Sequence, residues 1–163
     1  KACDFIGKAR RVIVIGFSEK NVIFAQYFAY RLSFAGYDAI SLDKSTTSYS
    51  HINMMNKNDV LILISESGET QQMLNYASIA KKKNAKVISI TKKNQNTLAD
   101  ISDLDLRVIN FGKRGFMKVS MVRISMLVLF DAIYMNLVKE NYEEKELFYE
   151  KVKMQTKLNY KEK

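Results

Sequence analysis

Residues 59–73 read DVLILISESGETQQM. The first part, DVLILIS (59–65), is apolar with no polar alternation, the pattern of a strand covered on both faces. Met73, Leu74, Ala77 and Ala80 then recur at helical spacing, which predicts an amphipathic helix over 69–83. Between them stands S-E-S-G-E-T. The first N–H groups of a helix lack intrahelical partners, and its dipole is positive at that end, so such a terminus attracts an anion. Gly68 lets the backbone approach a ligand, and the hydroxyls of Ser65, Ser67 and Thr70 can donate to phosphate oxygens. A lone serine here would read as a helix N-cap. Three hydroxyls and a glycine within six residues point instead to phosphate. Glu66 and Glu69 lie in the same loop.

Outward from this segment, strands and helices alternate. RVIVIG (11–16) is a short buried strand, and a helix over 19–35 carries Val22, Ile23, Ala25, Phe28, Ala29, Leu32 and Phe34, ended by Gly36. YDAISL (37–42) predicts the second strand and residues 47–57 a shorter helix. AKVISIT (85–91) is the fourth strand, a helical turn near 97–101 follows, and LDLRVI (104–109) is the fifth. A long apolar helix over 118–139 precedes a tail, 141–163, whose Glu–Lys spacing suits a solvated helix. The alternation predicts an α/β fold, a three-layer α/β/α sandwich around a five-stranded parallel sheet. Right-handed crossovers favour the flavodoxin-like order 2-1-3-4-5. In that order strands 1 and 3 are neighbours whose chains leave in opposite directions, and ligands bind at such a switch point. Gly16 and Ser65 end those strands. Without proline or a glycine-rich linker, one domain is expected over 1–163, with a core of about 2–140.

The chain has 163 residues, 47% hydrophobic and 26% charged, an ordinary globular composition. Its one cysteine, Cys3, excludes an internal disulfide framework and fits a reducing cytoplasm. The most membrane-like stretch, 119–138, contains Arg123 and Asp131, which lipid would penalise, so it reads as a buried helix. The net charge of +9 is concentrated in 81–93 and 107–123. Solvated helix ends and loops are the expected explanation of these runs rather than a nucleic-acid surface, and 81–93 has no aromatic residue for stacking on bases. One His, one Cys and no Asp cluster leave metal binding without ligands, and neither metal nor cofactor is expected.

SESGET resembles the S-x-S-G-x-T signature of the SIS (sugar isomerase) domain. More narrowly, the chain is similar to the sugar-binding domain of RpiR-type transcriptional regulators. FIGKARRVIVIG resembles the lead-in to their first strand, NTLADISDLDLRV the segment after their fourth, and RISMLVLFDAIYMNL (123–137) their late helix. The resemblance spans about 2–140. It implies a first site loop of pattern G-x-G-x-S; here the loop is GFSEKN, without the second glycine. Counting back from Ala25 places Asn21 at the serine position, and counting forward from Gly16 places Ser18 near it.

The family includes aldose–ketose isomerases, which need a base near the sugar. In isomerising relatives a glutamate near the start of a late helix resembles that base, yet residues 107–130 contain no acid or histidine. Asp131, mid-helix, suits a pairing role with Arg123 across a dimer. Glu19 suits an exposed first turn and His51 a surface position. No catalytic residue is therefore expected. The expected role is a phosphosugar-binding effector domain of an RpiR-type regulator, cytoplasmic, with sugar-phosphate isomerase as the alternative. Its DNA-binding helix-turn-helix would lie in a parent protein outside this chain, as a start without methionine also suggests. Helix 118–139 is apolar on nearly all sides, which predicts a homodimer through it.

Overall fold

The structure, a computed structural model, describes residues 1–43, 45–109 and 116–161, with side chains through 109 and over 122–156. The elements run α1 (Ala2–Gly7), β1 (Arg11–Gly16), α2 (Glu19–Phe34), β2 (Ala39–Leu42), α3 (Thr46–Asn53), β3 (Asp59–Ile64), α4 (Gln71–Lys82), β4 (Lys86–Lys92), α5 (Thr97–Ile101), β5 (Leu104–Val108), α6 (Phe116–Lys139) and α7 (Tyr142–Lys161). All four strand pairings are parallel, and the sheet order is β2-β1-β3-β4-β5. Both match the order expected from the alternation.

The sheet is a partition between two apolar layers, because successive side chains of a strand point to opposite faces. Val12, Val14, Val60, Ile62, Ile64, Ile88 and Ile90 meet α1, α2 and α6 through Ile6, Phe24, Phe28, Leu32, Val122, Met126, Phe130, Ile133 and Leu137. Ile13, Ile15, Leu61, Leu63 and Val87 meet α3, α4 and α5 through Ile52, Met73, Tyr76, Ala77, Ala80 and Leu98. Phe130 stacks on Phe28 at 4.4 Å between centroids. Every residue of β3 is buried, which explains its lack of alternation.

Some boundaries move. β2 starts at Ala39 because Tyr37 closes the end of α2. Its N–H bonds to the Leu32 carbonyl while Gly36, at φ +84°, donates to Ser33, a Schellman ending. Helix α3 stops at Asn53, short of the expected 57, and α4 starts at Gln71 rather than 69. Asp131 has a partner within the chain. Arg31 of α2 reaches it within the same chain at 3.1 Å, while the Arg31 guanidinium also lies 4.0 Å from the Tyr134 ring centroid. Arg123 is exposed on α6, and among the described residues of this chain it has no ion-pair partner. The side chains of Lys113, Arg114, Lys118 and Met121, counted in the basic runs and the apolar helix, lie outside the described residues.

The tail forms α7, which docks at its start on the end of α2. Lys145 Nζ donates to the Ala35 carbonyl and lies 3.9 Å from the Tyr37 ring, and Phe148 packs over Gly36. The opening of β3 is fixed by Asp59, which is 1% exposed. Its carboxylate takes Arg10 Nε at 2.9 Å and Nη2 at 2.7 Å, and the Asn56 N–H at 2.8 Å. Asp59→Ala would strand these donors, and a urea denaturation curve should show a loss of about 2 kcal/mol.

Candidate functional site

The chain leaves β1 toward one face of the sheet and β3 toward the other. α2 and α4 therefore diverge and open a crevice at the carboxyl ends of these two strands. A cleft of about 240 Å³ lies there. The loop after β1 contributes Phe17 and Ser18, the first turn of α2 Lys20 and Asn21, the loop after β3 Ser65, Glu66, Ser67 and Thr70, and the end of β4 Lys92.

The β3–α4 loop is held by its own backbone. The Gly68 N–H bonds to the Ser65 carbonyl, and Gly68 adopts φ +69°, a turn glycine's conformation. Thr70 is the N-cap of α4, yet no side-chain hydrogen bond caps that helix. Instead the Thr70 hydroxyl faces that of Ser65, Oγ to Oγ1 3.4 Å, while the Ser67 hydroxyl accepts from the Glu69 N–H. The hydroxyls and the positive end of α4 are thus directed at the same space.

On the opposite wall Ser18 and Asn21 both line the cleft. Ser18 is the N-cap residue of α2 without a side-chain cap bond, and its Oγ is buried without a partner among the described residues. Asn21 is 3% exposed. Its Nδ2 donates to the Ile64 carbonyl at 3.3 Å, tying the two loops together, while its Oδ1 is buried and unpaired. Burying an unpaired polar atom costs free energy, so such atoms mark places where a ligand or water completes the bonding.

Glu69 is not brought to the cleft. Its carboxylate turns to α5, accepting from the Thr97 N–H at 2.9 Å and the Thr97 hydroxyl at 2.8 Å. These bonds, the backbone one first, hold its carboxyl below its ordinary 4.5. A carboxyl depressed on folding stabilises above its unfolded pKa, and that contribution fades as pH falls through the lower folded value. Denaturation midpoints taken between about pH 6 and pH 3 should fall more steeply for wild type than for Glu69→Gln. Gly68 shapes the loop without lining the cleft, and Glu19 and His51 are not among the lining residues. Three lining residues, Phe17, Lys20 and Lys92, had no counterpart in the sequence reading. Lys20 hides in the altered first loop. Lys92 ends the fourth strand, whose nearness to the third was the available signal. Among the described residues no group of three metal-ligating side chains occurs, and no helix is long and apolar enough to cross a membrane.

The SIS domain pattern matches residues 5–135. The chain belongs to the SIS domain family. It is 26% identical over 144 residues to an uncharacterized HTH-type transcriptional regulator of Clostridium perfringens, covering 88% of this chain and 51% of that protein. It is 31% identical over 90 residues to a 3-hexulose-6-phosphate isomerase of Methylomonas aminofaciens, covering 55% and 47%. Among solved structures, the sugar isomerase domain of an RpiR transcription factor from Sphaerobacter thermophilus superposes with a TM-score of 0.83 at 16% identity, covering 94% of this chain and 83% of that one. The Vibrio vulnificus NanR protein complexed with ManNAc-6P superposes with a TM-score of 0.82 at 23% identity, covering 96% and 59%. At these identities the structures show the shared fold. This SIS domain spans about half the length of the curated regulator it matches.

Proposed function

We propose that this SIS domain is the cytoplasmic, sugar-phosphate-binding effector domain of an RpiR-type transcriptional regulator, with DNA bound by a separate helix-turn-helix domain of the same protein. The observation that carries the reading is the cleft itself. An uncapped helix start and the hydroxyls of Ser65, Ser67 and Thr70 face two buried, unpaired oxygens on Ser18 and Asn21. The first group suits a phosphate and the second the hydroxyls of a sugar. The regulator among the relatives, and the sugar phosphate bound by NanR, support the same reading. A sensor works by binding the ligand more tightly in one conformation than in another.

The isomerase reading has one observation in its favour: Glu66, a carboxylate, lines the cleft. Without a ligand it is ion-paired to Lys20, so it is free to act as a base only where a ligand takes its place there.

A thermal-shift panel of hexose, pentose and amino-sugar phosphates tests the binding. A ligand at about a hundred times its Kd adds about 2.7 kcal/mol, a rise of roughly 5–10 °C in Tm for a chain of this size. The Ser65→Ala/Ser67→Ala double variant should lose that rise while unfolding near the unliganded wild-type temperature. No rise with any phosphate compound would leave a scaffold that has lost its ligand.

The cleft is smaller than the roughly 300–1,000 Å³ of most small-molecule pockets. A second copy of the chain is the proposed completion. On α6, Val122, Met126, Phe130, Ile133 and Leu137 face inward, while Ile124, Leu127, Val128 and Met135 are exposed on other sides. An apolar face of this kind is remedied by a dimer. Light scattering at micromolar concentration should show a dimer for wild type and a monomer for Val128→Glu/Met135→Glu. A monomeric wild type contradicts the pairing.

A further inference from the structure

We propose that Lys20 and Lys92 are direct ligands of the phosphate in this cleft, and that Glu66 holds Lys20 until a phosphate replaces it. The inference rests on reading the cleft as a phosphate site, and adds to its hydroxyls a cationic half.

The Lys20 ammonium and Glu66 Oε1 are in contact, joining the first turn of α2 to the loop after β3. The pair therefore spans the two walls of the cleft. Glu66 Oε1 is buried and has no hydrogen-bond partner apart from that ion pair. Lys92 is fixed from the third side. Its N–H donates to the Glu66 carbonyl at 3.1 Å, and the Ser65 N–H donates to the Ile90 carbonyl at 3.1 Å, so the end of β4 is stitched to the phosphate loop. Among the described residues Lys92 has no carboxylate partner. One lysine of the cleft is thus unpaired, and the other is paired with a carboxylate that leaves it two further donor directions.

The charges suit an exchange. Two lysines and one glutamate give the cleft a net positive charge, to which the start of α4 adds roughly half a unit. A phosphate dianion entering beside Ser65 and Thr70 meets Lys92 directly and competes with Glu66 for Lys20. Ammonium–phosphate contacts are charge-assisted and stronger than hydroxyl contacts. Glu66, once released, becomes an acceptor facing the sugar. A neutral sugar offers nothing to either lysine. The second pKa of a phosphate ester is about 6, so binding should be tighter at pH 7.5 than at pH 5.5 and weaken with salt.

The test uses the full chain, titrated with inorganic phosphate and with each sugar phosphate of the panel, followed by ³¹P NMR. Lys92→Gln should weaken binding about tenfold, and Lys92→Arg should restore most of it. For Lys20 the informative background is Glu66→Gln, in which there is no carboxylate left to neutralise. Adding Lys20→Gln there should weaken binding about tenfold. Equal affinity of the single and double variants would mean that Lys20 only neutralises Glu66, and would overturn its half of the proposal. Unchanged affinity in Lys92→Gln would overturn the other half. Circular dichroism melts within a few degrees of wild type establish that each variant is folded. If wild type binds phosphate and the lysine variants bind equally well, the phosphate site stands and this inference falls. If wild type binds none of the probes, the phosphate site itself falls.

Discussion

Gly68→Ala should lower stability by about 3 kcal/mol and abolish ligand stabilisation. Gly68 sits at φ +69°, where a Cβ costs roughly 1–2 kcal/mol. The added carbon would also stand 1.9 Å from Asn96 Oδ1, 2.2 Å from its Cγ and 2.7 Å from its Cβ. Asn96 is buried, and its side chain has little freedom to give way. Its Oδ1 accepts from the Ala99 N–H as the N-cap of α5, and its Nδ2 donates to Thr91 Oγ1 at 3.1 Å. Expelling Asn96 loses a cap worth about 1 kcal/mol and a buried hydrogen bond of similar size. Tm should drop by roughly 6–12 °C. The loop that carries Ser67 and Thr70 would move with it, so no sugar phosphate should raise the variant's melting temperature. A variant melting within about 2 °C of wild type would show that the loop tolerates a side chain.

Gly16→Ala should be worse, at about 4 kcal/mol or more. Gly16 needs space rather than an unusual dihedral. Its Cβ would lie 2.0 Å from the Asn21 carbonyl oxygen, 2.2 Å from that carbonyl carbon and 2.6 Å from the Val22 nitrogen. These are backbone atoms of the first turn of α2, and no rotamer relieves the clash. Overpacking a core costs typically about 1–3 kcal/mol where side chains can adjust. Here the helix itself has to move off β1, which pulls Phe24, Phe28 and Leu32 from their layer and Ser18, Lys20 and Asn21 from the cleft. Urea denaturation should show a large fall in midpoint or a chain that does not fold. A midpoint near wild type would contradict the close approach of α2.

The two glycines show why the fold was legible while the site was only partly so. Strand order follows from periodicity and handedness, which are written into each segment, and the S-E-S-G-E-T loop is local, so Ser65, Ser67 and Thr70 could be placed from their neighbours. The G-F-S-E-K-N loop was ambiguous because alignment by spacing forces one residue into one role. In three dimensions Ser18 at the helix cap and Asn21 one turn in both face the cleft. Glu69 illustrates the opposite limit. It stands beside the hydroxyls in sequence, yet its carboxylate is spent on Thr97, a residue 28 positions away. Asp131 likewise meets Arg31, on a helix 100 positions earlier. Long-range polar partners are set by packing and leave no periodic trace. Lys92 belongs to the same class, since only the pairing of β3 with β4 brings it to the loop.

On the proposed reading the cleft holds an anion between two loops that an asparagine and an ion pair already join. On the same reading, a ligand that displaces Glu66 from Lys20 alters the link between α2 and the loop leading into α4. The most direct measurement is NMR of each sugar phosphate that binds, followed over a prolonged incubation with stoichiometric protein, recording saturation and the aldose-to-ketose ratio together. Saturable binding with an unchanged ratio is the predicted result. Drift of that ratio toward equilibrium, lost in Glu66→Gln, would contradict it and make the domain an isomerase.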